Sequence, residues 1–229
     1  MSKIIRNTID KKVINSLPVV SFEGRIVTIL NESETDKAVA YLMTHPMVGV
    51  DTETRPSFAR GRSYKVALLQ VSTDDVCFLF RLNHIGLPAS LQRFLEDKNV
   101  MKIGLSLKDD FGALHKRSDF QPGAFLELQQ YVADFGIDDK SLQRIYAILF
   151  GQRISKAQRL SNWEADVLTD KQKLYAATDA WACLRIYRYV ESLRQSGDYQ
   201  LERIPIENKQ TDKQHNAETE DHGVQTCVS

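Results

Sequence analysis

One stretch constrains this chain more than any other: Met47-Val48-Gly49-Val50-Asp51-Thr52-Glu53-Thr54, where an apolar run delivers two carboxylates, one residue apart, to the end of a strand. Side chains along a strand alternate faces, so Asp51 and Glu53 project to one side and Thr52 to the other. Two carboxylates on one side can grip a hard divalent cation such as Mg²⁺ or Mn²⁺. Mg²⁺ in particular is usually held by one or two carboxylates together with substrate phosphate. Acidic pairs also occur wherever a strand enters a turn, so the weight of this pair rests on what accompanies it.

Two further acidic positions accompany it. Lys102 to Leu114 reads as a buried strand feeding a helix, and on that helix Asp110 and Leu114 share a face. Later, Thr169-Asp170-Lys171-Gln172 is a Thr-x-x-Gln capping box that fixes a helix start, and Tyr175 and Asp179 follow one turn apart on a common face. The small residues Ala176, Ala177 and Thr178 allow a close approach there. Leu174, Ala177, Trp181, Leu184 and Ile186 suggest a second, buried face. A Tyr and an Asp on a helix often do no more than bond to neighbours, so this pair, too, needs the others.

Taken in order, these segments resemble the DEDD superfamily of 3′-to-5′ exonucleases, in its tyrosine (DEDDy) branch, from about Val48 to Val190. The family pattern of Asp-x-Glu, a middle Asp and Tyr-x-x-x-Asp falls on Asp51, Glu53, Asp110, Tyr175 and Asp179. The histidine branch would place its base where Leu174 stands. Asp109 rivals Asp110, but the family pattern puts an apolar residue four positions after the ligand, and Leu114 meets that better than Ala113. Ser161-Asn162-Trp163, Leu168-Thr169 and Lys173-Leu174-Tyr175-Ala176-Ala177-Thr178-Asp179-Ala180 look most like the Werner-syndrome type, with the ribonuclease D type next. Glu127 departs from the Asp of many relatives, which puts local structure and not catalysis in question.

The resemblance implies a ribonuclease H-like α/β fold with a mixed central sheet flanked by helices, and two divalent metal ions, Mg²⁺ or Mn²⁺, held by Asp51, Glu53, Asp110 and Asp179. It implies metal-assisted phosphodiester hydrolysis that releases nucleoside 5′-monophosphates. In that scheme Asp51 bridges both ions, Glu53 and Asp179 complete the ion that activates water, Asp110 supports the other, and Tyr175 orients the water. A phenol with a pKa near 10 is a poor general base at neutral pH. The implied partner is nucleic acid with single-stranded or recessed 3′ ends, and a helicase partner is compatible. An inactive binding module of the same fold is disfavoured, because every motif position retains its acid or phenol. A ribonuclease D-like RNA enzyme is the nearer rival; the helical domains typical downstream in that type do not follow here, which leans the expectation towards DNA.

Charge supports a nucleic-acid partner locally and not globally. Thirty basic and thirty acidic residues give zero net charge. Yet Arg55, Arg60, Arg62 and Lys65 follow the acidic motif with no acid between Glu53 and Asp74, and Pro56, Phe58 and Tyr64 interleave with them. Cations beside aromatics suit phosphates and the stacked bases of a single-stranded end. Arg153, Lys156 and Arg159 precede the last helix, and of these Lys156 is the candidate contact; Trp163 reads as a packing residue.

The remaining sequence sets the domain plan. Residues 1–24 are expected to pack on the core as an extension, 25–204 to form the catalytic domain, and 205–229, too polar to support a core, to be a disordered tail. Strands are expected at Ile26–Leu30, Met47–Asp51, Lys65–Ser72, Val76–Leu82, Val100–Leu105 and near Phe125, and helices at Ser33–Met43, Ala89–Glu96 and Lys108–Lys116, with the site at one edge of the sheet. Cys77, Cys183 and Cys227 show neither pairing nor zinc spacing, and no signal or membrane-spanning pattern appears, so a reducing, cytoplasmic location is expected. The five histidines are scattered, and His115 turns away from Asp110.

Overall fold

The computed structural model describes residues 2–58, 61 and 63–205. The chain begins with β1 (Lys3–Arg6), α1 (Lys11–Ser16), β2 (Val19–Val20), β3 (Arg25–Ile29) and α2 (Glu32–Leu42). A meander follows, of β4 (Met47–Thr54), β5 (Val66–Ser72) and β6 (Val76–Phe80), then α3 (Leu82–Ile85), α4 (Ala89–Glu96), β7 (Met101–Gly104), α5 (Leu107–Leu114) and β8 (Phe125–Glu127). Helices dominate the rest: α6 (Leu128–Phe135), α7 (Leu142–Phe150), the short β9 (Arg153–Ile154), α8 (Asp170–Ser196) and a final β10 (Tyr199–Glu202). Among the described residues no helix is long and apolar enough to cross a membrane.

Six strands form one mixed sheet in the order β3-β6-β5-β4-β7-β8, antiparallel within the meander and parallel at β3/β6, β4/β7 and β7/β8. Strand β5 is buried along its whole length, which is why its sequence is a nearly unbroken apolar run instead of an alternation. Val48 and Val50 of β4 face one core with Leu42 of α2, Leu91 and Phe94 of α4 and Leu107 and Leu114 of α5. On the other side, α8 packs with Leu68, Leu79 and Trp163, and with α6 and α7. This is the helix-covered mixed sheet that the sequence leads one to expect.

The 27-residue α8 has the expected capping box: the Thr169 hydroxyl accepts from Gln172 N–H, and Gln172 Oε1 accepts from Thr169 N–H at 3.0 Å.

Several details differ from the sequence expectations. Strand β6 ends at Phe80 and not at Leu82, because Arg81 turns its buried guanidinium to the carbonyls of Ala165 and Asp166 and the chain enters the single turn α3. Two small parallel pairs, β1/β10 and β2/β9, were not anticipated. Each joins segments more than a hundred residues apart, such as Lys3 to Tyr199, so no local periodicity announces them. Leu174, expected on a buried face of α8, is 37% exposed beside β2 and β9.

The location of β4 also corrects an expectation. It is an interior strand, not an edge. The four-residue β7 pairs with it only from Met47 to Gly49, so from Val50 onward β4 keeps β5 on one side and, among the described residues, has no strand on the other. The site is therefore at a local opening inside the sheet.

Candidate active site

Helix α8 crosses β4 at Gly49. A Cβ built on that glycine would lie 1.9 Å from the Ala180 carbonyl oxygen, so only glycine allows the helix to come this close. Ala176, Ala177 and Ala180 are fully buried at this contact, which shows what their small size accommodates. The close approach places Asp179, 7% exposed, over the alternate residues Asp51 and Glu53. One carboxylate oxygen from each of these three residues lies within 4.8 Å of the others.

Such crowding is costly for anions. Burial raises the Asp51 pKa well above the ordinary carboxylate range, and the charges of Asp179, Asp110 and Glu53 raise it further. Glu53 is pushed up to about 9, again by burial first and then by Asp179 and Asp110. Asp179 rises to about 7 by burial, opposed by a hydrogen bond from Tyr175 and by Lys156. A set of hard oxygen donors that repel one another in a desolvated place fits a multivalent cation, whose charge would cancel the repulsion.

Tyr175 donates its phenol to Asp179 from one turn earlier on α8. Burial, together with the Asp179 and Glu53 charges, raises its pKa far above that of free tyrosine, so the group is a proton donor at neutral pH. Its ring lies 6.0 Å from that of Trp163, which is wholly buried and so serves as packing.

Asp110 arrives differently. It stands in the first turn of α5, directly after β7, and accepts a short hydrogen bond from the Thr52 hydroxyl. Asp110 lies outside the tight trio, although its charge raises the pKa of both Asp51 and Glu53. Its own pKa rises to about 6 by burial, with the Thr52 bond opposing. Asp109 is exposed, which separates the two rivals. His115 is exposed and bonds to the Phe120 carbonyl, away from the acids.

Thr52 and Glu127 escaped the sequence reading of the site. Glu127 receives the backbone N–H groups of Ser106 at 3.0 Å, Leu107 at 2.8 Å and Gln129 at 3.0 Å, so one carboxylate caps the starts of both α5 and α6. The chain turns into α5 through Ser106 in the left-handed region, φ 63°, and Gln129 Nε2 donates to the Ser106 hydroxyl at 3.0 Å. The Glu127 departure from the family pattern thus keeps its local structure. The only sequence signal for these roles was the Asp-to-Glu departure itself.

The candidate cations are spread around the site. Arg55 pairs with Glu164 at 3.4 Å and lies 4.8 Å over the Tyr64 ring, so its charge is shared. Lys65 is exposed at the foot of β5. Lys156 is partly desolvated and close enough to Asp179 for each to shift the other's pKa. Arg60 and Arg62, like residues 206–229 of the expected tail, lie outside the described residues. Phe58 is 86% exposed and borders a cleft of about 330 Å³ with Arg55, Tyr64, Leu160 and Asn162. A second cleft, about 280 Å³, is lined by Val20, Ile154, Lys171, Leu174 and Tyr175.

Residues 26–193 match the family model described as 3′-5′ exonuclease. The chain is 31% identical over 190 residues to the mouse bifunctional 3′-5′ exonuclease/ATP-dependent helicase WRN, covering 78% of this chain and 14% of that protein. It is 31% identical over 198 residues to an Arabidopsis thaliana 3′-5′ exonuclease, covering 78% and 67% respectively. Among solved structures, the Aedes aegypti Nibbler EXO domain superposes with a TM-score of 0.72 at 18% identity, over 80% of this chain and 95% of that one. Escherichia coli RNase D follows with 0.67, also at 18%, over 76% and 46%. These neighbours share the ribonuclease H-like α/β exonuclease fold. By sequence and by architecture, the chain belongs to the 3′-5′ exonuclease family.

Proposed function

We propose that this nuclease is a metal-dependent 3′-5′ exonuclease that releases nucleoside 5′-monophosphates from single-stranded or recessed 3′ ends, with DNA as its preferred polymer. The observation that carries the reading is the convergence of Asp51, Glu53 and Asp179 to within 4.8 Å. Asp51, Glu53 and Asp179 would hold one ion, and Asp51 with Asp110 a second, as Mg²⁺ or Mn²⁺. When bound, the ions supply a water activated for attack and charge to stabilise the leaving 3′ oxygen.

The chain's own residues do the rest. Tyr175 keeps its proton and donates it in a hydrogen bond, so it orients an oxygen near Asp179 without deprotonating it. Phe58 and Tyr64 offer ring faces to terminal bases, and Arg55, Arg60, Arg62, Lys65 and Lys156 offset backbone phosphate charge around an acidic centre that would otherwise repel it. The DNA preference leans on Aquifex aeolicus DNA polymerase I, 26% identical over 66% of this chain, against a ribonuclease D at 29% over 75%, and the helicase reading on the mouse relative. That relative's name joins an exonuclease to a helicase, which supports a helicase partner for this chain.

The test uses 5′-labelled single-stranded DNA, recessed duplex DNA and single-stranded RNA, each with Mg²⁺, Mn²⁺ or EDTA, and an Asp51→Ala control. A ladder shortening from the 3′ end, dependent on metal and on Asp51, is expected, fastest on DNA. Retained binding without any ladder would defeat the enzyme reading, and a faster ladder on RNA would defeat the DNA preference.

A further inference from the structure

Strand β5 contains one polar side chain in the middle of its apolar run, Gln70, and it is completely buried. Among the described residues neither its Nε2 nor its Oε1 has a hydrogen-bond partner, and no other buried side chain leaves two polar atoms unpartnered. Buried amides are normally satisfied, because stripping water from one without replacement is unfavourable; an exception calls for a cause.

The strand register supplies one. Gln70 stands directly opposite Asp51 in the antiparallel β4/β5 pair. Directly opposed residues send their side chains to the same face, with Cβ atoms about 4.5–5.5 Å apart. That face is the one covered by α8, on which Glu53 and Asp179 also lie. The other neighbours of Gln70 on this face are Leu68 and Ser72 along β5 and Leu79 across on β6. The two leucines offer no polar atom, and the Ser72 hydroxyl is turned to the Thr73 carbonyl, to which it donates at 2.8 Å. Of the acceptors on this face, Asp51 is the one that the register sets directly across from Gln70.

We propose that Gln70 is a positioning residue for Asp51: once cations draw the Asp51 carboxylate into place, the Gln70 Nε2–H donates to it and fixes its rotation, so that its oxygens stay presented to the cations. This rests on the metal-dependent reading above. Partners that orient a ligand in this way commonly change metal affinity by about 10–100-fold when removed. The strand requires a polar residue here for the sake of its neighbour, since its own packing would be better served by an apolar one.

Gln70→Met keeps the length and shape of the side chain and removes its hydrogen bonding. Mn²⁺ binding to the full chain, followed by calorimetry and by the electron paramagnetic resonance of free Mn²⁺, is expected to weaken by about 10–100-fold. In EDTA the same variant should melt at the same or a higher temperature than the parent, because an unsatisfied amide has been replaced by an apolar group. kcat should fall while KM for a DNA oligonucleotide stays constant. Unchanged Mn²⁺ affinity, or a lower melting temperature in EDTA, would overturn the proposal, since either result makes Gln70 a packing residue. If the parent itself binds Mn²⁺ no better than Asp51→Ala does, the metal-dependent reading fails and this proposal goes with it; parental binding matched by Gln70→Met sinks the Gln70 role alone.

Discussion

Asp179 reaches the site on a 27-residue helix pressed against β4, whereas Asp110 reaches it on an eight-residue helix tied down by polar contacts. The first mounting is steric: the Ala180 carbonyl sits where a Gly49 side chain would be, and backbone meets backbone with nothing adjustable between them. The second adds hydrogen bonds, from Thr52 to Asp110 and from the α5 amide of Leu107 to Glu127, to the core packing of Leu107 and Leu114. Packed interfaces hold a fixed spacing, while hydrogen-bonded ones can exchange partners at modest cost. One side of the site is thus a three-carboxylate jaw set by backbone contact, and the other is a single carboxylate oriented by one hydroxyl.

The sharpest way to break this contrast is to remove one acid from each side. Asp51→Ala should reduce hydrolysis to background and abolish Mn²⁺ binding, because the jaw loses its central ligand. Asp110→Ala should also stop hydrolysis, yet retain binding of one ion by calorimetry. Equal loss of binding in both variants would make the two sides equivalent.

Acid–base behaviour gives the next effect. Unfolded carboxylates titrate near pH 4, while burial holds Asp110 up to about 6 and Asp179 to about 7, and burial with repulsion from Asp179 and Asp110 holds Glu53 up to about 9. Between those limits the unfolded chain has shed protons that the folded chain keeps, so stability present at low pH is lost as pH rises through the folded values. In EDTA the melting temperature should therefore fall from pH 5 to pH 9, reflecting a loss on the order of a few kcal/mol. Saturating Mg²⁺ or Mn²⁺ should flatten the curve by stabilising the ionised carboxylates. A melting temperature in EDTA that is flat over this range would contradict the crowded-jaw description.

Gly49→Ala probes the jaw's spacing without touching an acid. The added methyl meets backbone, which cannot rotate away, so α8 must shift; overpacking of this kind costs about 1–3 kcal/mol. A displacement of about 1 Å at the site should reduce turnover on the order of 100-fold. Urea melts and kcat measured together test it, and parental turnover would mean that the spacing is not critical.

Much of the jaw could be read in the sequence, because its geometry follows from local periods. The alternation of a strand puts Asp51 beside Glu53, and the turn of a helix puts Tyr175 beside Asp179, with Thr169 and Gln172 fixing where that helix starts. The Asp110 side was less legible. Where Asp110 sits depends on β7 ending after four residues and on Glu127 capping a helix 20 residues earlier in the chain, facts of tertiary structure with no periodic trace. Gln70 was visible as a lone amide in Val66–Ser72, but its meaning depends on the register that sets it against Asp51. The pairing of β1 with β10 was hidden for the same reason, since only the folded chain brings Lys3 to Tyr199.

The smallest effect belongs to the tether. Thr52→Val keeps the branched shape that suits a strand and removes only the hydroxyl bonded to Asp110. Stability should fall by about 1 kcal/mol, the usual net value of one hydrogen bond. Turnover should fall by about 10-fold, the lower end for a residue that orients a ligand. Because Thr52 orients only the Asp110 side chain, while Leu107 and Leu114 keep its helix packed in the core, raising Mn²⁺ should recover much of the lost rate: bound cation can draw the carboxylate into place without help from Thr52. Gly49→Ala should show no such recovery, since added metal cannot move a backbone. A Thr52→Val defect as resistant to Mn²⁺ as that of Gly49→Ala would show both sides of the site to be rigid.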